Sequence, residues 1–285
     1  MKSIDADIPL LRRWKLPDLT EAESKEDRGR VLVVGGSREI PGAVLLAAYA
    51  SLRAGAGKLH IATAGEVAPG VAIAMPEARV SGLPSGPNGE LAGITDALIV
   101  AAKHCDALLI GPGMASSATS RRVASKCAAH AKAAVLDAGA LTAATAGATV
   151  ITPHYGEMAE LCGCEKAEIA SDPAAIAVTV ARERNVVVAL KGGITHVANP
   201  AGELWVYRGG SIGLGTSGSG DVLAGVIAAL IAQGAALDQA AVWGVVLHGE
   251  AGAKLASRVG LVGFLAREIA DEIPPLRTAA GTLAL

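Results

Sequence analysis

From Val31 onward the chain alternates short aliphatic runs with longer Ala-rich stretches. The runs are VLVVGG (31–36), KLHIAT (58–63), ALLIG (107–111), AAVLDAG (133–139), ATVIT (148–152) and VVVALKGG (186–193). Most are apolar at successive positions rather than at every second one, the mark of strands buried on both faces and hence of a parallel sheet. The intervening segments predict helices over 41–54, 94–104, 116–131, 172–184, 219–233 and 238–256, and each interval is long enough for a right-handed crossover. The expected fold class is therefore α/β, a mainly parallel central sheet with helices on both faces. Two departures from the repeat stand out. Asn199-Pro200-Ala201-Gly202 between two short runs signals an added hairpin, and VSGLPSGPNGELAG (80–93) reads as a loop or excursion. Residues 1–29 hold thirteen charged residues and read as a polar lead-in, leaving 30–285 as one domain.

Composition narrows the function. The 285 residues carry a net charge of −2, so the chain lacks the cationic field that binding to a polyphosphate backbone needs. With one Phe, three Tyr and three Trp there is no stock of base-stacking aromatics either, and nucleic acid is not an expected partner. The mean hydropathy of +0.43 raises the question of a membrane span. The strongest candidate, the sixteen uncharged residues between Asp221 and Asp238, falls short of the roughly 20 apolar residues a spanning helix needs, so it predicts a buried helix ending near Gly234. The first residues mix acids and bases without an apolar core, so no signal peptide is expected and the predicted location is cytoplasmic. Cys105, Cys127, Cys162 and Cys164 lack metal-type or framework spacing and are expected to be structural, reduced thiols.

Open α/β sheets bind ligands beyond the carboxyl ends of their strands, and there this chain repeatedly places glycine: Gly35-Gly36, Gly111-Pro112-Gly113, Asp137-Ala138-Gly139 and Lys191-Gly192-Gly193. Neither a G-x-G-x-x-G fingerprint nor a Walker A motif is present in the right context, against an ordinary dehydrogenase or a P-loop kinase. The densest run, Gly213 to Asp221, leads small hydroxyls and glycines into an apolar helix. Free backbone N–H groups and the positive helix end then converge around Gly218, Ser219 and Gly220 as an anion hole, with the Asp221 carboxylate beside it. The plainer alternative is that Ser219 or Asp221 is only an N-cap. Thr152-Pro153-His154-Tyr155-Gly156-Glu157 follows another strand. His154 offers a hydrogen bond or a ring face to a ligand, or merely caps, and Glu157 either caps or meets a bound cation. The other histidines, 60, 104, 130, 196 and 248, show no ligand spacing and are expected to be structural.

Taken in order, G-R-V-L-V-V-G-G-S (29–37), P-G-A-V-L-L-A-A (41–48), R-A-G-A-G-K-L (53–59), M-P-E (75–77), G-P-G (111–113), L-D-A-G-A-L (136–141), T-P-H-x-G-E-M (152–158), K-G-G-I-T (191–195) and G-S-G-D-V-L-A-G (218–225) resemble the ADP-dependent NAD(P)H-hydrate dehydratase family of the ribokinase-like superfamily. The resemblance implies ADP-dependent dehydration of S-NADHX and S-NADPHX, with release of AMP and phosphate. It implies that Asp221 is the catalytic base. It also implies that Ala43, Gly113, His154 and Asp221 hold NAD(P)HX, and that Lys191, Gly192, Gly193, Ile194, Thr195 and Gly220 hold the nucleotide. Mg²⁺ is the expected cofactor, a homotetramer the expected assembly and a separate epimerase chain the expected functional partner. A small-molecule kinase of the same superfamily, similar to hydroxyethylthiazole kinase, is the alternative. Ala115, Ser211-Ile212, Ser219 and the 24–30 segment depart from the usual family pattern.

Overall fold

The computed structural model describes residues 2–20, 22–143 and 147–281. Ten strands form one sheet: β1 (Ile4–Asp5), β2 (Arg30–Val34), β3 (Lys58–Ala64), β4 (Arg79–Leu83), β5 (Ala107–Ile110), β6 (Ala133–Leu136), β7 (Ala148–Ile151), β8 (Val187–Leu190), β9 (Thr195–Ala198) and β10 (Leu204–Tyr207). Their spatial order is β1-β10-β9-β8-β7-β6-β5-β2-β3-β4. From β7 to β4 every pairing is parallel, and β9 pairs antiparallel with both β8 and β10. The hairpin expected around Asn199 thus joins β9 to β10, with Gly202 in the left-handed region at φ +88° and its N–H donating to the Asn199 carbonyl.

Eleven helices are described: α1 (Ile8–Arg13), α2 (Gly42–Arg53), α3 (Ala68–Ala74), α4 (Asp96–His104), α5 (Ala118–Ala128), α6 (Tyr155–Cys162), α7 (Lys166–Ser171), α8 (Pro173–Arg184), α9 (Ser219–Ala232), α10 (Leu237–Arg258) and α11 (Ala266–Ala279). Successive strand residues feed opposite cores. Val31, Val33 and Leu109 pack with α2, α9, α10 and α11, whereas Leu32, Val34, Leu108 and Ile110 pack with α4, α5, α6 and α8. This is why the central strands β2, β5, β6 and β8 are apolar at nearly every position. Helix α9 is buried almost all round because α2, α10 and α11 pack against it. A Cβ on Gly225 would overlap the Ala47 carbonyl, so glycine lets α9 cross α2 closely, and the Ser51 hydroxyl bonds the Gly225 carbonyl at 3.0 Å. Among the described residues no helix is long and apolar enough to cross a membrane.

Several elements differ from expectation. The segment expected as a loop from 80 begins as edge strand β4, paired along β3, and only its later part turns back through the Ser85–Leu91 bridge. Its V-S-G-L text has neither alternation nor a long apolar run, because an edge strand is covered on fewer sides. Helices α1, α3, α7 and α11 also lie outside the segments predicted as helical. The lead-in is tied into the fold: β1 extends the sheet beside β10, Trp14 stacks on Trp205 with centroids 5.5 Å apart, and the Trp243 indole donates to the Trp14 carbonyl at 2.7 Å. All four cysteines are free; Cys105 and Cys127 are buried, and burial pushes both thiols up to about 12.

Candidate active site

A cavity of about 900 Å³ opens beyond the carboxyl ends of β6 to β8, between the T-P-H turn, the K-G-G turn and the start of α9. Asp137 sits at its floor directly after β6. It is 3% exposed and accepts hydrogen bonds from the Thr152 hydroxyl at 2.7 Å and from Lys191 Nζ at 3.0 Å. The next residue, Ala138, is held at φ +43°, a strained conformation for a residue with a Cβ, and it also lines the cavity. Lys191 leaves β8, and its backbone N–H donates to the Pro153 carbonyl at 2.8 Å, which ties the K-G-G and T-P-H turns together. Burial opposes the Lys191 ammonium, but the Asp137, Glu157 and Asp221 carboxylates outweigh it and hold its pKa above the ordinary lysine value.

Helix α9 begins over this pair. Its N-cap is Gly218, in the left-handed region at φ +87°, and no side chain caps the helix. Neither Ser219 nor Asp221 is therefore the cap, and the plainer alternative reading of these two residues does not hold. A Cβ on Gly220 would stand 3.1 Å from Lys191 Nζ and 4.0 Å from an Asp137 carboxylate oxygen, which brings the helix start against the ion pair. Asp221, in the first turn, faces the cavity. Burial chiefly, with the Asp137 carboxylate next, pushes its pKa up to about 7 against the opposing pull of Lys191. A carboxylate titrating near neutrality suits proton transfer.

His154 is the N-cap of α6 in a reciprocal capping box. Its Nδ1 accepts the Glu157 N–H at 3.1 Å, and the Glu157 carboxylate accepts the His154 N–H at 2.8 Å. Both residues cap and also line the cavity, so the two readings of this pair are compatible. Gly192, Gly193 and Thr195 line it too, while Ile194 is 37% exposed beside them and outside the lining. A Cβ on Gly192 would press on the Tyr155 ring, so the turn needs glycine for close approach.

Ala43 and Gly113 lie outside this lining. They meet instead beyond β2 and β5, where a Cβ on Gly113 would stand 3.0 Å from the Ala43 Cβ and 3.2 Å from the Gly36 Cα. That is where the strand order reverses, the crevice in which open α/β sheets take ligands. The two regions adjoin, because Gly218 packs directly on Leu46, one turn along α2 from Ala43.

A protein-family profile described as NAD(P)H-hydrate dehydratase matches residues 31–275. Over 269 residues the chain is 53% identical to an ADP-dependent (S)-NAD(P)H-hydrate dehydratase of Xanthomonas campestris, covering 93% of this chain and 92% of that one. The chain belongs to the NAD(P)H-hydrate dehydratase family. It is also 37% identical to a bifunctional NAD(P)H-hydrate repair enzyme of Moorella thermoacetica, covering 92% of this chain but only 52% of that one. A crystal structure of the ADP/ATP-dependent dehydratase of Bacillus subtilis, grown with ATP and Mg²⁺, superposes with a TM-score of 0.83 at 27% identity, over 98% of this chain and 99% of that one. The architecture is the expected ribokinase-like one.

Within this dehydratase framework the departures find local places. The Ser211 hydroxyl accepts the Gly213 N–H at 3.0 Å and caps a short 3₁₀ turn, while Ile212 is 77% exposed at the cavity rim. The Ala115 N–H donates to Glu90 at 3.2 Å. Sequence reading did not single out Asp137 as a site residue, nor Tyr207. Asp137 was visible only as one of several residues in a post-strand glycine turn, and its role depends on a lysine 54 positions away.

Proposed function

We propose that this chain dehydrates S-NADHX and S-NADPHX to NADH and NADPH at the expense of ADP, releasing AMP and phosphate. The observation that carries the reading is the uncapped start of α9 with Asp221 set against the pair of half-buried Lys191 and buried Asp137. The C6 hydroxyl of the hydrated ring gives its proton to Asp221 and takes the terminal phosphoryl group, with AMP leaving. The C6–O bond then breaks as phosphate departs with its electron pair, and loss of a proton from the adjacent C5 to water restores the ring double bond. The Gly218 and Gly220 amides and the Lys191 ammonium offset the charge on the transferring phosphoryl group; the Ser219 N–H, expected to join them, donates instead to the Thr216 carbonyl at 3.2 Å. Gly192, Gly193, Ile194, Thr195 and Gly220 hold the rest of the nucleotide. Ala43 and Gly113 hold the substrate at the strand-order reversal, and His154 meets it across the cavity.

The donor set suits Mg²⁺ carried in with the nucleotide. Among the described residues no group of three or more His, Cys, Asp and Glu forms a metal site by itself, and Mg²⁺ ordinarily binds through one or two carboxylates plus substrate phosphates and waters. Glu157, facing the cavity, is the carboxylate to hold it, and the ion when bound neutralises phosphoryl charge. A cytoplasmic homotetramer served by a separate epimerase chain completes the proposal. The exposed apolar ridge of Leu261 and Val262 supports self-association, and the longer repair enzymes, of which this chain spans about half, are described as bifunctional.

The test is NADH absorbance regained from purified S-NADHX. Full turnover is expected only with ADP and Mg²⁺ together; equal turnover without nucleotide overturns the reading, and a product that keeps its phosphate supports the kinase alternative. The same assay carries a pH prediction. Asp221 with a pKa near 7 is protonated below that value and cannot accept a proton, so turnover is expected to fall about tenfold per pH unit on the acid side of 7. A flat profile between pH 5.5 and 8 would remove Asp221 from the proton step.

A further inference from the structure

His248, midway along α10, is buried and lines the cavity, yet the reaction scheme above gives it nothing to do. Its Nε2 lies 3.0 Å from the Ser219 hydroxyl oxygen and 3.0 Å from the Ser219 carbonyl oxygen. A carbonyl oxygen only accepts, so Nε2 must carry the ring proton. Burial pushes the His248 pKa down to about 4, which keeps the ring neutral with a single N–H at working pH. That one N–H points between the two Ser219 oxygens. The hydroxyl oxygen therefore accepts from His248, and its own proton is left over. Among the described residues the Ser219 hydroxyl makes no other hydrogen bond. Ser219 is the first residue of α9 and lines the cavity between Gly218 and Gly220.

We propose that His248 is a positioning residue: by engaging the lone pairs of Ser219 it turns the Ser219 O–H into the cavity as a further donor to the transferring phosphoryl group. The proposal rests on the dehydratase reading for its reaction, but the tautomer and the coupling of the two residues belong to the fold. It gives a chemical reason for a hydroxyl at position 219: the amides of an uncapped helix start are joined by an O–H held in one direction, which needs no reorganisation as charge develops. It also separates His248 from general acid–base chemistry, because a ring whose single proton is committed to a carbonyl has none to deliver.

The test is a double-mutant cycle in kcat, with KM for ADP followed alongside. Ser219→Ala and His248→Leu are each expected to lower kcat by about tenfold to a hundredfold, and the double variant to lose no more than the worse single. His248→Gln, which places an N–H near the position of Nε2, is expected to recover kcat to within a few fold. Independent losses that multiply in the double variant overturn the proposal, as does a His248→Gln protein that is folded but as slow as His248→Leu. Long-range ¹⁵N–¹H spectra of the imidazoles provide an arm that needs no turnover. The Nε2–H tautomer at pH 6 to 8 is expected for His248, and the Nδ1–H tautomer overturns the proposal. A wild-type protein without ADP-dependent turnover would overturn the assigned reaction, while the spectra still decide the arrangement of His248.

Discussion

Asp221→Asn is expected to lower turnover by about 10²–10⁴-fold, the usual worth of a positioned base. Asparagine preserves the shape and a hydrogen-bonding group in the first turn of α9 but takes no proton from the substrate hydroxyl. Nucleotide binding is expected to persist, because the amides of Gly218 and Gly220 and the Lys191 ammonium are untouched. Stability separates this from a structural role. The folded-state pKa of about 7 stands above the ordinary aspartate value near 4, so the folded state binds the proton more tightly than the unfolded one, and the ionised carboxylate subtracts stability as pH rises from about 4 through 7. At pH 8 the neutral Asn variant is therefore expected to melt no lower than the wild type. Turnover, ADP affinity and melting temperature on this one variant decide the matter: near-normal turnover in a folded protein removes Asp221 as the base.

Gly111→Ala is expected to cost about 3 kcal/mol or more and to lower the melting temperature by roughly 6 °C or more. Gly111 has φ +125°, which an L side chain rarely adopts, and a Cβ there would overlap the Asp137 carbonyl oxygen. The chain can relieve that overlap only by pushing the end of β5 from the end of β6. Asp137 then shifts relative to Lys191 and Asp221, so whatever protein remains folded is expected to lose turnover as well. Gly70→Ala is the control. Its Cβ would meet nothing within 4 Å inside helix α3, and alanine there is expected to stabilise by up to about 1 kcal/mol. If Gly111→Ala behaves like Gly70→Ala in melting and turnover, the close approach of the two strand ends carries no weight.

These cases show why the glycines after the strands were legible as a group and ambiguous one by one. Gly111 serves backbone approach, Gly218 supplies a left-handed cap, and Gly192 makes room for Tyr155. A sequence prints the same letter for all three. The helix start at Ser219, the T-P-H turn and the K-G-G turn were each visible, because local backbone chemistry is carried by residues adjacent in the chain. Their convergence on one cavity was not readable from spacing and was implied only by the family resemblance.

The sequence by itself determined the parallel α/β architecture, since strands buried on both faces must be largely apolar, and it located the glycine-rich start of α9 while leaving open whether Ser219 or Asp221 capped it. The tertiary structure alone decided the ion pair of Lys191 with Asp137, the pairing of His248 with Ser219, the recruitment of the polar amino-terminal segment as a sheet edge, and the neutral-range titration of Asp221. Each of these depends on residues tens to hundreds of positions apart. Their interaction is set by distance and burial in the folded chain, quantities that periodicity along the sequence does not encode.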